Sequence, residues 1–200
     1  MIASTPDLSP LSTHVSGLVL AGGAGSRIGR NKALLPWRGR PFIEHIVERL
    51  QPQVESIAVS GSDPQVMHGL ALPLLPDPFP ERRGPLAGIL AGLRASSTPL
   101  LLVVPCDNPQ PAPDLCERLR DGLLRADAML AYARCGDSDH YLYALLRREL
   151  AAALAQFLQH GDYAVRRWYA TQRQCSIDFS DRAAHFVNIN TAADLQRLPE

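Results

Sequence analysis

The sequence predicts a fold of the α/β class, a single three-layer domain with a mostly parallel central sheet. Three observations carry this. Short β-branched or leucine-rich runs alternate with longer segments of helical period. Several of those short runs are apolar throughout, as strands buried on both faces are. Two hundred residues with 46% apolar and 20% charged content suffice for one sizeable core.

Taken in chain order, residues 1–14 are rich in Ser, Thr and Pro and are expected to form a disordered extension ahead of a domain at 15–200. Strands are expected at 17–21, 56–60, 72–75, 100–104, 128–133, 141–146 and 176–179, where the apolar runs fall. Between them, "PFIEHIVERL" opens with a proline suited to a first helical turn. "GPLAGILAGLRAS" and "APDLCERLRDGLLRA" carry apolar residues at three-and-four spacing, and "RRELAAALAQFLQHG" ends in glycine. These four are read as crossover helices. The seventeen prolines sit at element boundaries rather than in one linker, and no internal repeat is visible.

Twenty basic and twenty acidic side chains cancel, so bulk charge points to neither a nucleic acid nor an anionic membrane. The longest apolar stretch, "TPLLLVVPC", falls far short of the roughly 20 residues of a membrane helix, and residues 1–14 lack the pattern of a signal peptide. A cytoplasmic protein is expected. Cys106, Cys116, Cys135 and Cys175 form no CxxC pair and no zinc-finger spacing, so they read as reduced packing residues.

The stretch "LAGGAGSRIGRNK" follows the first expected strand directly. In open α/β sheets ligands bind beyond the carboxyl ends of the strands. Glycines there let backbone N–H groups lie against phosphate oxygens, and Arg27 and Lys32 can neutralise charge on a polyphosphate. A tight strand-to-helix turn is the competing reading of the same glycines. A P-loop is excluded because no GxxxxGK[ST] string occurs, and GxGxxG would need glycine where Ile28 stands. The looser GxGxxxG of Gly23, Gly25 and Gly29 leaves a dehydrogenase as the last-ranked alternative, with only Asp63 after the second strand to hold a ribose.

Asp107 in "PCDNP" follows the apolar strand at 100–104, where a carboxylate can hold Mg²⁺ against a triphosphate or can cap a turn before Pro109. Asn188 and Asn190 in "NIN" share a face if the segment is extended, with Ile189 on the other. "GPLAG" sets Gly84 and Gly88 around a helix start, a place that attracts anions. Arg82 and Arg83 read as a solvated surface pair. His140 has no partner that would make it a base.

The loop runs on into "ALLPWRGRPFIEH", and the whole pattern, LAGG, spacer, R-I-G-x-x-K-A-L-L and G-x-P, resembles the nucleotidyltransferase signature. With "GPLAGILAGL", "VVPCDNP", "IDFSD" and "FVNINTAADL" following in order over about 17–196, the sequence is similar to the molybdenum cofactor guanylyltransferases. The resemblance implies a Rossmann-like domain of nucleotidyltransferase type. It implies transfer of GMP from GTP to the terminal phosphate of molybdopterin, with Mg²⁺ or Mn²⁺ as cofactor and molybdenum-insertion proteins and molybdoenzyme chaperones as further partners. It assigns Leu20, Ala21, Gly22 and Gly23 to GTP together with Lys32 and Asp107. Ser62, Asp77, Gly84, Pro85 and Leu86 join them on the nucleotide side. Lys32, Arg27 and Asp107 would be catalytic, Asp107 and Asn190 would hold the metal, and Asn188, Asn190 and Arg166 would lie on the molybdopterin side.

Three positions depart from that family's pattern: Asn31 replaces an aspartate before the lysine, Ser62 replaces an asparagine, and His140 is followed by Tyr141 rather than proline. They leave open a cytidylyltransferase, whose pattern has LAAG instead of LAGG, or a non-catalytic nucleotide-binding partner of a cofactor-handling enzyme.

Overall fold

The computed structural model describes residues 14–22, 31–67, 69–79, 83–189 and 194. Strand β1 (Val15–Leu20) is buried along its whole length. A 3₁₀ turn (Lys32–Leu34) leads to a small hairpin, β2 (Pro36–Trp37) with β3 (Arg40–Pro41), and then to helix α1 (Phe42–Leu50). β4 (Ser56–Ser60), β5 (Leu74–Leu75), α2 (Pro85–Ala95) and β6 (Leu100–Pro105) follow. The chain continues through α3 (Leu115–Arg125), β7 (Leu130–Cys135), β8 (Ser138–Arg147), α4 (Ala151–Gln159), α5 (Val165–Ala170) and β9 (Gln174–Asp178).

Seven strands form one sheet in the order β5-β4-β1-β6-β8-β7-β9. All pairs are parallel except β6 with β8 and β7 with β8. Alternation along the strands explains the three layers. Val15 and Val19 of β1 face one core with Leu100, Leu102 and Val104 of β6, covered by α1 and α3. Leu18, Leu20, Leu101 and Val103 face the other, covered by α2, α4 and α5. Helix α2 lies unusually close to the sheet because Gly88 and Gly92 face it. A Cβ on Gly88 would fall 2.5 Å from Ser60 Oγ, and one on Gly92 would fall 2.6 Å from Leu18 Cδ2.

The mostly parallel α/β sheet agrees with expectation; several boundaries and connections do not. β7 and β8 were expected at 128–133 and 141–146 and are longer on their facing ends, because Gly136 and Asp137 turn them into an antiparallel hairpin with polar residues near its tip. Pro41 is the N-cap of α1 rather than its first residue. The β2–β3 hairpin and α5 were missed, since two-residue strands and a six-residue helix leave almost no periodicity to read. The expected extension 1–14 lies, but for His14, outside the described residues. No helix among the described residues is long and apolar enough to cross a membrane. The four cysteines are free thiols.

Candidate active site

The chain runs from β1 to its neighbour β4 and on to β5 at one edge, then returns to β6 on the other side of β1. The strand order therefore reverses between β1 and β6, the place where open α/β sheets leave a crevice at their carboxyl ends. A cavity of about 260 Å³ occupies it. Leu20, Ala21 and Gly22 supply one wall from the end of β1, and Pro105, Cys106 and Asp107 supply the other from the end of β6. Asn31 and Lys32 enter from the 3₁₀ turn, Pro85 from the start of α2, and Leu142 from β8.

Lys32 and Asp107 interact electrostatically within this cavity. Burial raises the Asp107 carboxyl above the ordinary carboxylate range, and the Lys32 ammonium partly offsets that. Asp107 Oδ1 is shut away from solvent with no hydrogen-bond partner among the described residues. The turn-capping role that the sequence allowed Asp107 belongs instead to Asn108, whose Oδ1 accepts the Gln110 N–H at 2.8 Å. Burial and the neighbouring Asp107 push the Cys106 thiol up to about 12, so it stays protonated.

The Asp107 carbonyl accepts the Ile189 N–H at 2.8 Å, and Asn108 Nδ2 donates to the Val187 carbonyl at 3.0 Å. These bonds tie the "NIN" segment to the cavity rim, with Ile189 buried and Asn188 exposed as the alternation expected. Asn108 is 1% exposed and was missed; its position inside "PCDNP" was the only sequence signal.

The expected nucleotide residues divide into two groups. Leu20, Ala21, Gly22, Lys32, Pro85 and Asp107 meet at one cavity, with Gly84 as the N-cap of α2 and Leu86 buried beneath it. Ser62 and Asp77 do not line this cavity. They are exposed beyond the ends of β4 and β5, and Asp77 Oδ1 accepts the Phe79 N–H at 3.1 Å. Arg166 is exposed on α5, close enough to Asp139 and Tyr141 of β8 to act on both electrostatically, while Arg167 pairs with Asp162 at 2.7 Å. Gly23, Arg27, Asn190 and Arg82 lie outside the described residues.

Two other expectations are settled by contacts. Arg83 is not a solvated surface charge: its guanidinium lies 4.1 Å from the Phe79 ring and 5.6 Å from Tyr163, and it donates to the Leu158 carbonyl at 3.1 Å. It packs because a planar cation prefers an aromatic face to water on one side. His140 packs its ring 5.1 Å from Phe186 and 6.2 Å from Tyr143, and burial lowers its pKa.

A sequence profile of the MobA-like NTP transferase domain matches residues 17–176. The chain belongs to the MobA-like NTP transferase family. It is 39% identical over 195 residues to a molybdenum cofactor guanylyltransferase of Methylibium petroleiphilum, covering 92% of this chain and 95% of that protein. It is 38% identical over 193 residues to one of Bordetella petrii, covering 94% and 98%. Among solved structures, the molybdopterin-guanine dinucleotide biosynthesis protein A of Archaeoglobus fulgidus superposes with a TM-score of 0.76 at 24% identity over 92% of this chain and 96% of that one. A CMP:2-keto-3-deoxy-manno-octonic acid synthetase complexed with CTP superposes at 0.71 and 14% identity, covering 92% and 96%. At these identities the two structures show the fold alone.

Proposed function

We propose that this member of the family transfers GMP from GTP to the terminal phosphate of molybdopterin, releasing pyrophosphate and forming molybdopterin guanine dinucleotide. The observation that carries the reading is Lys32 acting electrostatically on Asp107, whose buried Oδ1 has no hydrogen-bond partner among the described residues, in a cavity at the reversal of strand order. The names of the two curated relatives support the choice of substrates.

On this reading the ends of β1 and α2 form the nucleotide wall. Leu20, Ala21, Gly22 and Gly23 lie along the phosphates, Gly84, Pro85 and Leu86 stand near the nucleoside, and Ser62 and Asp77 reach the base from the outer strands. Lys32 and Arg27 neutralise the triphosphate. Asp107 is the donor a hard cation accepts, a carboxylate whose inner oxygen has no hydrogen-bond partner among the described residues. Asp107 and Asn190 would hold the divalent cation this family uses, Mg²⁺ or Mn²⁺, which when bound neutralises charge on the triphosphate and the departing pyrophosphate. Asn188, Asn190 and Arg166 serve the molybdopterin side.

No general base is required. The attacking phosphate monoester has a second pKa of about 6 and is already mostly dianionic at neutral pH, and the Cys106 thiol on the wall stays protonated. Rate acceleration then comes from alignment and charge neutralisation. The transferase domain is assigned to 15–200 and its place to the cytoplasm, where molybdenum-insertion proteins and molybdoenzyme chaperones would take the product. The test is incubation with molybdopterin, Mg²⁺ and each of the four NTPs while pyrophosphate is measured. GTP should exceed CTP by at least about tenfold, the size of one or two lost base-edge hydrogen bonds. No release with any NTP would overturn the activity, and equal release with CTP would overturn the guanine assignment.

A further inference from the structure

Asn31 has both ends of its side chain committed. Its Oδ1 accepts the Ala33 N–H at 3.1 Å, capping the 3₁₀ turn that carries Lys32. Its Nδ2 donates to Asp63 Oδ2 at 3.4 Å, and the other Asp63 oxygen accepts the Gln65 N–H at 3.0 Å. The amide has one workable orientation, because the flipped one sets an oxygen against a carboxylate and an NH₂ against an N–H. Asp63 stands in the segment after β4, and β4 is the sheet neighbour of β1. The bond therefore ties the turn bearing Lys32 to the segment that leaves the adjacent strand, at the wall of the cavity that Asn31 itself lines.

We propose that Asn31 and Asp63 are a positioning pair that holds Lys32 toward Asp107 and the triphosphate; the proposal rests on the reading of this cavity as a nucleoside triphosphate site. Neither residue acts on the phosphates. Asn31 spends its oxygen on Ala33 and its amide hydrogen on Asp63, and Asp63 spends both oxygens on the protein. What the geometry demands at the 31–63 contact is one donor and one acceptor, while each side chain also supplies an acceptor to its own turn. An amide and a carboxylate meet that demand in either order. Two carboxylates do not, since like charges at hydrogen-bond distance repel and no donor remains between them.

The test is a swap. N31D, D63N and the double variant N31D/D63N are compared with wild type for GTP affinity by calorimetry, for turnover across pH 5 to 9, and for Tm. N31D should weaken GTP binding by about tenfold at pH 8, and the defect should shrink toward pH 5 as the facing carboxylates begin to share a proton. The double variant restores an amide–carboxylate pair and should return to within about threefold of wild type, the signature of a coupled pair. A double variant as poor as N31D, a defect that ignores pH, or an N31D protein with unchanged affinity would each overturn the proposal while leaving the reading of the site intact. A wild-type protein that binds no GTP would overturn both. One that binds GTP and transfers nothing would overturn the proposed activity alone, and the affinity series would still decide the pair.

Discussion

Gly88→Ala is expected to move the proposed nucleotide wall of the cavity. The added Cβ would fall 2.5 Å from Ser60 Oγ, 2.9 Å from Leu20 Cδ2 and 3.2 Å from Ser60 Cβ, against roughly 3.5–4.0 Å for comfortable contact between carbons. Rotating Ser60 removes only the first clash, so α2 must lift from the sheet by several tenths of an ångström at that turn. Overpacking of this kind costs about 1–3 kcal/mol. Alanine in place of a helical glycine returns about 1 kcal/mol, leaving a net loss of about 0–2 kcal/mol. At about 2–4 °C per kcal/mol for a chain of this size, Tm should fall by at most about 8 °C. The effect on the site should be larger than the effect on stability. Gly88 lies one turn from Pro85 on the cavity wall, and displacements approaching 1 Å can cost on the order of 10²-fold in rate. Tm by calorimetry, GTP affinity and steady-state turnover are the assays. Ser60→Ala added to Gly88→Ala should recover part of both losses, because the two side chains share one contact. If Gly88→Ala folds with turnover and GTP affinity within twofold of wild type, the close approach of α2 is packing without functional consequence.

Three further outcomes are expected. Asp107→Asn should lower turnover by at least about 10² without lowering Tm. Burial raises the Asp107 pKa, so the ionised carboxylate costs stability above its folded-state pKa; any Tm advantage of the variant should therefore be present at neutral pH and fade as acid protonates the wild-type carboxyl. A lower Tm at pH 7 with retained turnover would return Asp107 to a structural role. Gly122→Ala should destabilise by a net of about 0–2 kcal/mol, an overpacking cost of about 1–3 kcal/mol less about 1 kcal/mol returned by alanine in a helix, because its Cβ would lie 2.0 Å from Ile177 Cδ1 where α3 packs on β9; Ile177→Val should relieve part of this, and thermal denaturation of the single and double variants decides it. Arg38→Asn should leave Tm equal or raise it by up to about 4 °C. The β2–β3 turn holds Arg38 at φ +49° and Gly39 at +77°, a left-handed pair that suits Asn far better than Arg, and the Arg38 guanidinium 4.4 Å over Trp37 returns only about 0.5–1 kcal/mol at an exposed site. A fall in Tm would mean that the stacking outweighs the backbone strain.

What the sequence disclosed, it disclosed through local chemistry. β1 and β6 are apolar on both faces because helices cover both, and that pattern is readable without a partner strand in view. Asp107 was legible because it follows such a strand at its carboxyl end, and Lys32 because it closes the glycine-rich stretch that follows another. Strand direction was not: β8 is as apolar at its buried end as the parallel strands of the sheet, and only Gly136 and Asp137 signal that the chain turns back. Gly88 and Gly92 read in a sequence as weak points of a helix, and only the distance to Ser60 and Leu18 shows that they set how closely α2 approaches the sheet.

Arg83 and Asn31 show a second kind of hidden information. In the sequence each is a polar residue in a polar segment, and solvation explains such residues adequately. In the fold Arg83 reaches Leu158, 75 residues away, and Asn31 reaches Asp63, 32 away. Both bonds start from loops that flank the cavity, one beside Gly84 and one beside Lys32. A triphosphate site needs those loops held to within a fraction of an ångström, and strands β1 and β6 fix only their own ends. The remaining precision has to come from side chains that tie each loop to a distant, rigid element. Substitutions at these ties should therefore change nucleotide affinity and turnover together even though the side chains spend their hydrogen bonds on the protein.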